Sequence, residues 1–250
     1  MTVGLICAIP QELNHLRALL ERERTERIGG VDFVLGALDG HEVVMAGSGM
    51  GKVNAALVSA VLAERFSCRL IVFSGVAGGL DPGLAIGDIV IADRVIQHDA
   101  GWIDGPSTVT YQAGHVPFIN PTEQLGYDID ERLLRRVADR LRGVHLPALS
   151  EAAGGGGRAQ RIAYGTVLTG DQYVHSELVR QRLHQDFAAL AVEMEGGAVA
   201  QVAEAFGLPW LIIRGLSDLA GSDSRFDFAS FVDEVAGTSV MILRQLLPVL

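Results

Sequence analysis

The sequence predicts a single mixed α/β domain, with a largely parallel central sheet flanked by helices. Seven runs of apolar or β-branched residues are apolar throughout rather than alternating with polar residues, which is typical of strands buried on both faces of a sheet. Helical patterns lie between these runs, and alternation of strands with helices favours parallel pairing. A chain of 250 residues suits one large α/β unit, so we expect a single domain spanning 1–250.

Each predicted element follows from one of these patterns. The predicted strands lie at 2–9, 42–49, 69–79, 87–93, 161–171, 189–195 and 209–218. The predicted helices lie at 10–23, 52–65, 130–142, 176–185, 196–206 and 231–247. Residues 97–128 have turn-forming residues and no clear period, which predicts a long loop of the kind found at functional sites or interfaces. Residues 146–160 include four consecutive glycines, which predict a flexible surface connection.

Composition narrows the class of partner. Hydrophobic residues make up 49% of the chain and charged residues 20%, as in folded globular proteins. The net charge of −10 argues against nucleic acid as the main partner, because phosphate binding requires a basic face. Cys7 and Cys68 are too few for a disulfide framework and lack metal-ligand spacing. With no signal peptide and no apolar run that could span a membrane, we expect a cytoplasmic protein without membrane contacts.

Several predicted strands end in glycine or polar residues, and ligands bind beyond the carboxyl ends of strands in open α/β sheets. These candidate ligand contacts are Glu12, the segments 47–52, 74–80, 169–174 and 214–218, and the pair Glu193 and Glu195. Each also has a purely structural interpretation. The 47–52 segment is not a P-loop, Asp218 can cap a helix, and Arg214 can form a buried ion pair with Glu195.

The pair Glu193 and Glu195 stands between an apolar run and a small, helix-forming run. Glutamate is rarely buried without a partner. One explanation is a surface strand end that begins a helix, where acids suit the helix N-terminus. The other is a polar ligand that one of the two carboxylates holds.

Five motifs occur in an order and spacing that spread over almost the whole chain: GMGKVNAA, SGVAGGL, GDIVIAD, VEMEGGAVAQV and IRGLSD. Together they resemble the purine nucleoside phosphorylase/hydrolase superfamily, and within it the bacterial 5′-methylthioadenosine/S-adenosylhomocysteine nucleosidases. VEMEG combined with SD makes the resemblance specific, whereas any one glycine motif would be weak. The resemblance implies the nucleoside phosphorylase/hydrolase fold, a purine nucleoside substrate, a homodimer, and neither cofactor nor metal.

The resemblance also implies roles for individual residues. Glu12 matches the base that activates the attacking water, and Asp218 matches the acid that donates a proton to N7 of adenine, oriented by Ser217. Glu195 matches the ribose-binding glutamate. The other implied substrate contacts are Met50, Gly51, Ala77, Gly78, Tyr173, Val174, Glu193, Met194, Arg214 and Phe228.

The chemistry of the reaction agrees with these roles. The N-glycosidic bond breaks through an oxocarbenium-like ribosyl group, so the leaving base needs a proton and the sugar needs nearby negative charge. Asp218 must be protonated to donate, Glu12 must be ionised to take a proton from water, and Glu195 can accept hydrogen bonds from the 2′- and 3′-hydroxyls.

Other functions stay open at this point. A phosphorylase would attack with phosphate, but a carboxylate would repel that dianion, and neither 8–13 nor 74–80 contains an arginine. Arg69, Arg94 or an arginine of a second subunit could still reach the site. The further alternatives are a hydrolase of 5′-deoxyadenosine or an aminofutalosine-type nucleoside, and a nucleoside-binding protein without turnover.

This sequence departs from the family pattern at several positions. Val76 stands where a serine is usual, Tyr173 where a phenylalanine is usual, and Gly197 where an alanine is usual. The stretch 110–118, which includes His115 and Pro117, diverges most, and in relatives it reaches the neighbouring subunit's pocket. The preferred 5′ substituent is therefore not predicted.

Overall fold

The structure, a computed structural model, describes residues 2–8, 10–105, 107–220 and 228–250. For Glu12, Arg22, Ser107, Phe228 and Ala229 only the backbone is described. The strands are β1 (Val3–Cys7), β2 (Glu21–Ile28), β3 (Val31–Leu38), β4 (His41–Gly47), β5 (Ile71–Gly79), β6 (Ile89–Gln97), β7 (Gly101–Asp104), β8 (Ser107–Thr110), β9 (Tyr127–Asp128), β10 (Ile162–Thr169), β11 (Ala191–Glu193) and β12 (Trp210–Asp218). The helices are α1 (Pro10–Arg17), α2 (Lys52–Glu64), α3 (Glu131–Leu141), α4 (Glu177–Phe187), α5 (Gly196–Ala205) and α6 (Phe228–Leu246), followed by a short 3₁₀ turn, Leu247–Val249.

The main sheet has the strand order β11-β10-β6-β12-β5-β1-β4-β3-β2. Parallel pairing joins β4, β1, β5 and β12 in its centre and joins β6, β10 and β11 at one end. Helix α2 packs against α5, and α1 and α3 pack against α6. The predicted mixed α/β fold, with a largely parallel sheet flanked by helices, is confirmed.

The sheet closes on itself at one end. Strand β11 pairs with β10 and also, antiparallel, with β5, so that β5, β12, β6, β10 and β11 form a ring. The pairing places Ala191 opposite Gly79 and Val192 opposite Gly78. A Cβ at Gly78 would lie 3.1 Å from the Ala220 Cβ, so a glycine suits this crowded closure. The closure brings the SGVAGGL and VEMEG segments side by side.

The central strands are buried almost completely, which explains why they lack alternation in the sequence. Every residue of β1 is buried, as is every residue of β12 except Asp218. All seven predicted strands and all six predicted helices contain the corresponding element. None of the helices in the described ranges is both long enough and apolar enough to cross a membrane.

The predicted end of one helix, the predicted end of one strand and the content of one predicted loop are wrong. The helix predicted at 10–23 ends at Arg17, and β2 begins at Glu21. Strands β2 and β3 form a hairpin through Gly29 and Gly30, whose φ values of 59° and 83° suit a tight hairpin turn. Strand β6 runs on to Gln97, and the loop predicted after it contains the β7–β8 hairpin and β9.

The segment predicted as a flexible connection at 146–160 is in part packed. Leu149 and Ala153 are buried in an apolar cluster with Phe231 of α6. The Ser150 backbone N–H donates to the Glu234 carboxylate at 2.8 Å. These contacts anchor the segment, which glycine content alone cannot reveal.

Candidate active site

A cavity of about 280 Å³ opens at the carboxyl ends of β5, β11 and β12. Its walls contain Ala8, Met50, Val76, Ala77, Gly78, Gln172, Tyr173, Val174, Val192, Glu193, Met194, Glu195, Ser217 and Asp218. Ten of the fourteen predicted site residues therefore line one cavity. Gly51 and Arg214 do not line the cavity, but Gly51 donates a hydrogen bond to Glu195 and Arg214 donates one to Glu193. The side chains of Glu12 and Phe228, also predicted to be site residues, lie outside the described part of the chain.

Glu193 is buried, and its carboxylate is satisfied by protein donors. It accepts hydrogen bonds from the Arg214 guanidinium and the Thr169 hydroxyl. The backbone N–H groups of Glu195 and Gly196 also donate to it, at 3.1 and 2.8 Å. A carboxylate at the first N–H groups of a helix is favoured by the helix dipole. Glu193 thus anchors the start of α5 and has little capacity left for a ligand.

Arg214 is fully buried behind the two glutamates. Its guanidinium stacks over the Phe73 ring at 3.9 Å from the centroid, and its Nη2 lies 3.7 Å from Glu195 Oε2 in addition to its contact with Glu193. A Cβ at Gly75 would overlap Arg214 Nη1, so the strand beside it must be free of a side chain. The buried ion pair expected of Arg214 forms chiefly with Glu193 rather than with Glu195.

Glu195 is buried at the cavity wall with fewer protein donors than Glu193. Its Oε1 accepts a hydrogen bond from the Gly51 backbone N–H at 2.8 Å. Burial and the neighbouring Glu193 charge raise the pKa of Glu195, while Arg214 and the Gly51 N–H oppose that rise. Gly51 has φ +93°, a conformation that favours glycine. Glu195 therefore retains acceptor capacity for a ligand in the cavity.

Asp218 is held at the end of β12 by two hydrogen bonds. Its Oδ2 accepts from the Ser217 hydroxyl at 2.9 Å, and its Oδ1 accepts from the Ala220 backbone N–H at 2.7 Å. The register of β12 against β5 shifts between Leu216 and Asp218, which re-aims the strand end. The Ser217 hydroxyl and the Ala220 N–H thus hold one carboxylate oxygen of Asp218 each.

The mouth of the cavity is apolar and open. Met50 and Tyr173 are each 73% exposed although both line the cavity. The part of Tyr173 that faces the cavity is desolvated, and this partial desolvation together with the Asp218 charge raises the pKa of Tyr173. Val76, which replaces a usual serine, also packs against the cluster that includes Phe231, so its side chain closes an apolar wall.

Sequence reasoning missed several residues that support this site. Phe73 and Asp99 lie outside the candidate segments, and Lys52, Thr169 and Asp171 were named only as members of the segments 47–52 and 169–174, with no individual role. Lys52 is the only lysine in the sequence, a signal that could have singled it out. The glycine at position 197, where an alanine is usual in the family, is explained by crowding, because a Cβ there would lie 2.7 Å from Gln97 Cγ. Throughout the described ranges, no group of three or more His, Cys, Asp and Glu could hold a metal ion.

The chain belongs to the phosphorylase superfamily, whose family model matches residues 2–248. It is 58% identical over 250 residues to a Mycobacterium tuberculosis protein named 5′-methylthioadenosine/S-adenosylhomocysteine nucleosidase, covering 100% of this chain and 98% of that protein. Both findings confirm the family predicted from the five motifs.

Solved structures agree. The S-adenosylhomocysteine nucleosidase from Streptococcus pyogenes, in complex with 5-methylthiotubericidin, is similar with a TM-score of 0.80 and 31% identity, covering 99% of this chain and 96% of that one. The futalosine hydrolase of Helicobacter pylori is similar with a TM-score of 0.82 and 26% identity, covering 100% and 98%. Both likenesses extend over almost the whole chain.

Proposed function

We propose that this protein hydrolyses the N-glycosidic bond of 5′-methylthioadenosine and S-adenosylhomocysteine, releasing adenine and the 5-thio-ribose. The observation that carries the proposal is that Glu195 and Asp218 line the same cavity, each oriented by neighbouring donors. Glu195 binds the ribose hydroxyls, and Asp218 protonates the leaving base. The names of the relative with 58% identity and of the Streptococcus pyogenes structure support this substrate class.

The sugar end of the cavity has an excess of negative charge. Glu193 and Glu195 share one buried cation, Arg214, so the cluster has a net charge of −1 when all three are ionised. Positive charge that develops on the ribosyl group compensates this excess, and such charge stabilisation is strongest in a water-excluded site. Glu195 also accepts hydrogen bonds from the ribose 2′- and 3′-hydroxyls, and Met194 packs against the sugar.

The base end of the cavity supplies a proton. Asp218, held by Ser217 and the Ala220 N–H, donates to N7 of adenine as the glycosidic bond breaks. The purine lies among the remaining residues predicted to contact it, which are Ala77, Gly78, Tyr173, Val174 and Phe228. Ala77 and Val174 give this end of the cavity apolar walls.

Water is the nucleophile in this proposal, with Glu12 as its base. The backbone of Glu12 lies in the first turn of α1, just beyond Ala8, which lines the cavity. No arginine or lysine occurs among the described residues that line the cavity, and Arg94 forms an exposed ion pair with Asp128. A phosphate dianion would lack a cation there and would meet two carboxylates, which disfavours phosphorolysis.

A second candidate substrate is an aminofutalosine-type nucleoside. The likeness to the Helicobacter pylori futalosine hydrolase favours it, and so does the exposed Met50 at the cavity mouth, where an open wall can accept a large 5′ substituent. The same carboxyl groups would serve both substrates. The ratio of kcat/KM values for the two nucleosides decides between them.

The protein acts as a homodimer in this proposal, with the segment 110–118 completing the partner's site. Asn120 braces that segment by donating to the Gly114 carbonyl at 2.9 Å, while Phe118 is 80% exposed. Ile119, next to Phe118 in the chain, is 73% exposed, and adjoining exposed apolar side chains form the kind of patch that marks an interaction site. Light scattering on a sizing column should give twice the chain mass. Phe118→Glu should give monomers, and Phe206→Glu, at the far end of α5, should not.

The decisive experiment is product analysis with and without phosphate. Purified protein is incubated with 5′-methylthioadenosine, and the products are separated by chromatography. Adenine with free methylthioribose, at a rate indifferent to phosphate, supports the hydrolase. Methylthioribose 1-phosphate formed only with phosphate would make the protein a phosphorylase, and tight binding without turnover would leave a binding protein. Asp128→Asn, outside the cavity, serves as the control for carboxylate variants.

A further inference from the structure

Three loops at the carboxyl ends of β4, β6 and β10 are joined by one ammonium group and two carboxylates. Lys52 Nζ donates to Asp99 Oδ1 at 2.7 Å. The other oxygen of Asp99 accepts from the Asp171 backbone N–H at 2.9 Å. Asp171 Oδ1 in turn accepts from the Lys52 backbone N–H at 2.9 Å, which closes a circuit of interactions. We call these three residues the Lys52 clamp.

The Lys52 clamp holds the start of α2. This helix has no capping side chain of its own, because its N-cap residue is Gly51. Asp171 provides the missing acceptor from a distant loop, and a carboxylate there is favoured by the helix dipole. A Cβ at Gly51 would lie 3.1 Å from Asp171 Oδ1, so the two loops are in close contact.

The peptide that the clamp fixes is adjacent to the sugar end of the cavity. Gly51, directly before Lys52, donates its N–H to Glu195 Oε1 at 2.8 Å. The clamp holds the Gly51–Lys52 peptide through the Lys52 N–H, and the Gly51 N–H belongs to the peptide just before it, so the clamp restricts the position of this donor across the Gly51 Cα. The Gly51 N–H therefore orients the Glu195 carboxylate from outside the VEMEG motif to which Glu195 belongs.

The choice of lysine fits the geometry. Lys52 is the only lysine among the 20 lysine and arginine residues of the sequence. A compact ammonium can approach Asp99 at 2.7 Å and also lie 3.9 Å from Asp171, whereas a planar guanidinium imposes a fork geometry. Although burial opposes its ionisation, the bonds from Lys52 and from the Asp171 N–H hold the pKa of Asp99 below its usual value. Asp99 therefore accepts these bonds as a carboxylate.

We propose that Lys52, Asp99 and Asp171 are positioning residues that set the orientation of Glu195 through the Gly51 N–H, and so determine how strongly the enzyme recognises the ribose hydroxyls. The proposal rests on the proposed role of Glu195 in ribose binding. None of the three clamp residues lines the cavity, so each acts through another residue rather than on the substrate.

The test compares 5′-methylthioadenosine with its 3′-deoxy analogue, which lacks one hydroxyl that Glu195 would hold. In the unchanged enzyme the analogue should lose about 10- to 100-fold in kcat/KM, as expected for a hydrogen bond to a charged group. Lys52→Met should reduce kcat/KM for the parent nucleoside and shrink this discrimination to within about threefold. Asp99→Asn should act in the same direction, and Lys52→Arg should restore little because of its different geometry.

The control is Arg244→Met, which breaks an ion pair with Asp39 that is remote from the cavity and should leave the discrimination unchanged. Urea unfolding verifies that each variant is folded. If Lys52→Met and Asp99→Asn slow both nucleosides by the same factor, the clamp is merely structural and the inference is overturned. If the unchanged enzyme already fails to discriminate, the ribose role of Glu195 itself is refuted, and the inference with it. The two failures are thus distinguishable.

Discussion

Replacing Arg214 with methionine removes the positive charge that two buried carboxylates share. Methionine is close in length and can still pack against the Phe73 ring, so the substitution changes charge more than volume. Glu193 keeps its bonds from the Thr169 hydroxyl and the Gly196 N–H. It loses its ion pair, however, and stays next to Glu195, where both carboxylates are buried.

The expected cost follows from this burial. The Arg214 side chain is 0% exposed and that of Glu193 is 1% exposed. Removing one partner of such a pair leaves an uncompensated buried charge, which costs about 3–5 kcal/mol. For a chain of this size that corresponds to a melting temperature about 6–20 °C lower. Arg94→Met, which breaks the exposed pair with Asp128, should cost less than about 1 kcal/mol.

Urea unfolding followed by tryptophan fluorescence measures this cost. Trp210 is 2% exposed and begins the strand that contains Arg214, so its emission reports on that strand. Adding Glu193→Gln to Arg214→Met removes one of the two carboxylates left without a cation and returns the cluster to its original net charge, which should recover part of the lost stability. A loss below about 1 kcal/mol for the single variant, or no recovery in the double variant, would refute the account of this cluster.

Other outcomes can be checked independently. Asp218→Asn keeps an acceptor for the Ala220 N–H but has no acidic proton, so kcat should fall by about 10²–10⁴ while circular dichroism is unchanged. The raised pKa of Glu195 means that it protonates at a higher pH than an exposed glutamate, whose pKa is 4.5. As the pH is lowered, kcat/KM should therefore begin to fall with an apparent pKa above 4.5. An apparent pKa at or below 4.5 would contradict this. Burial raises the pKa of Cys68 to about 12, so a thiol reagent at pH 8 should modify it only after denaturation.

The fold was predictable where burial dominates and less so where it does not. Strands such as β1 and β12 are buried on both faces, so their runs are apolar throughout and are readily recognised. Strand β2 has the sequence ERERTERI, whose glutamates and arginines also suit a helix, and this made the helix predicted from residue 10 too long. The Gly29–Gly30 pair was the available hairpin signal. In this segment, pairing with β3 outweighs the helix propensity of the glutamates and arginines.

The candidate site was predictable to the extent that its residues belong to recognisable motifs. VEMEG and SD locate Glu195 and Asp218 at strand ends, and the ring of strands brings them to one cavity. The Lys52 clamp could not be found in this way, because Lys52 and Asp171 are 119 positions apart. Their contact depends on how β4 and β10 are arranged, which no local pattern specifies.

Closure of the ring also determines how the sheet meets other chains. Among the described strands on the main path of the sheet, only β2 pairs on one side alone, so it is the single edge open to another strand. Ion pairs of Arg24 with Glu26 and of Arg27 with Asp32 lie along it. Charged side chains on an edge strand oppose edge-to-edge association. Protection of the open edge is therefore concentrated at one end of the sheet, and the candidate active site lies in the ring at the other end.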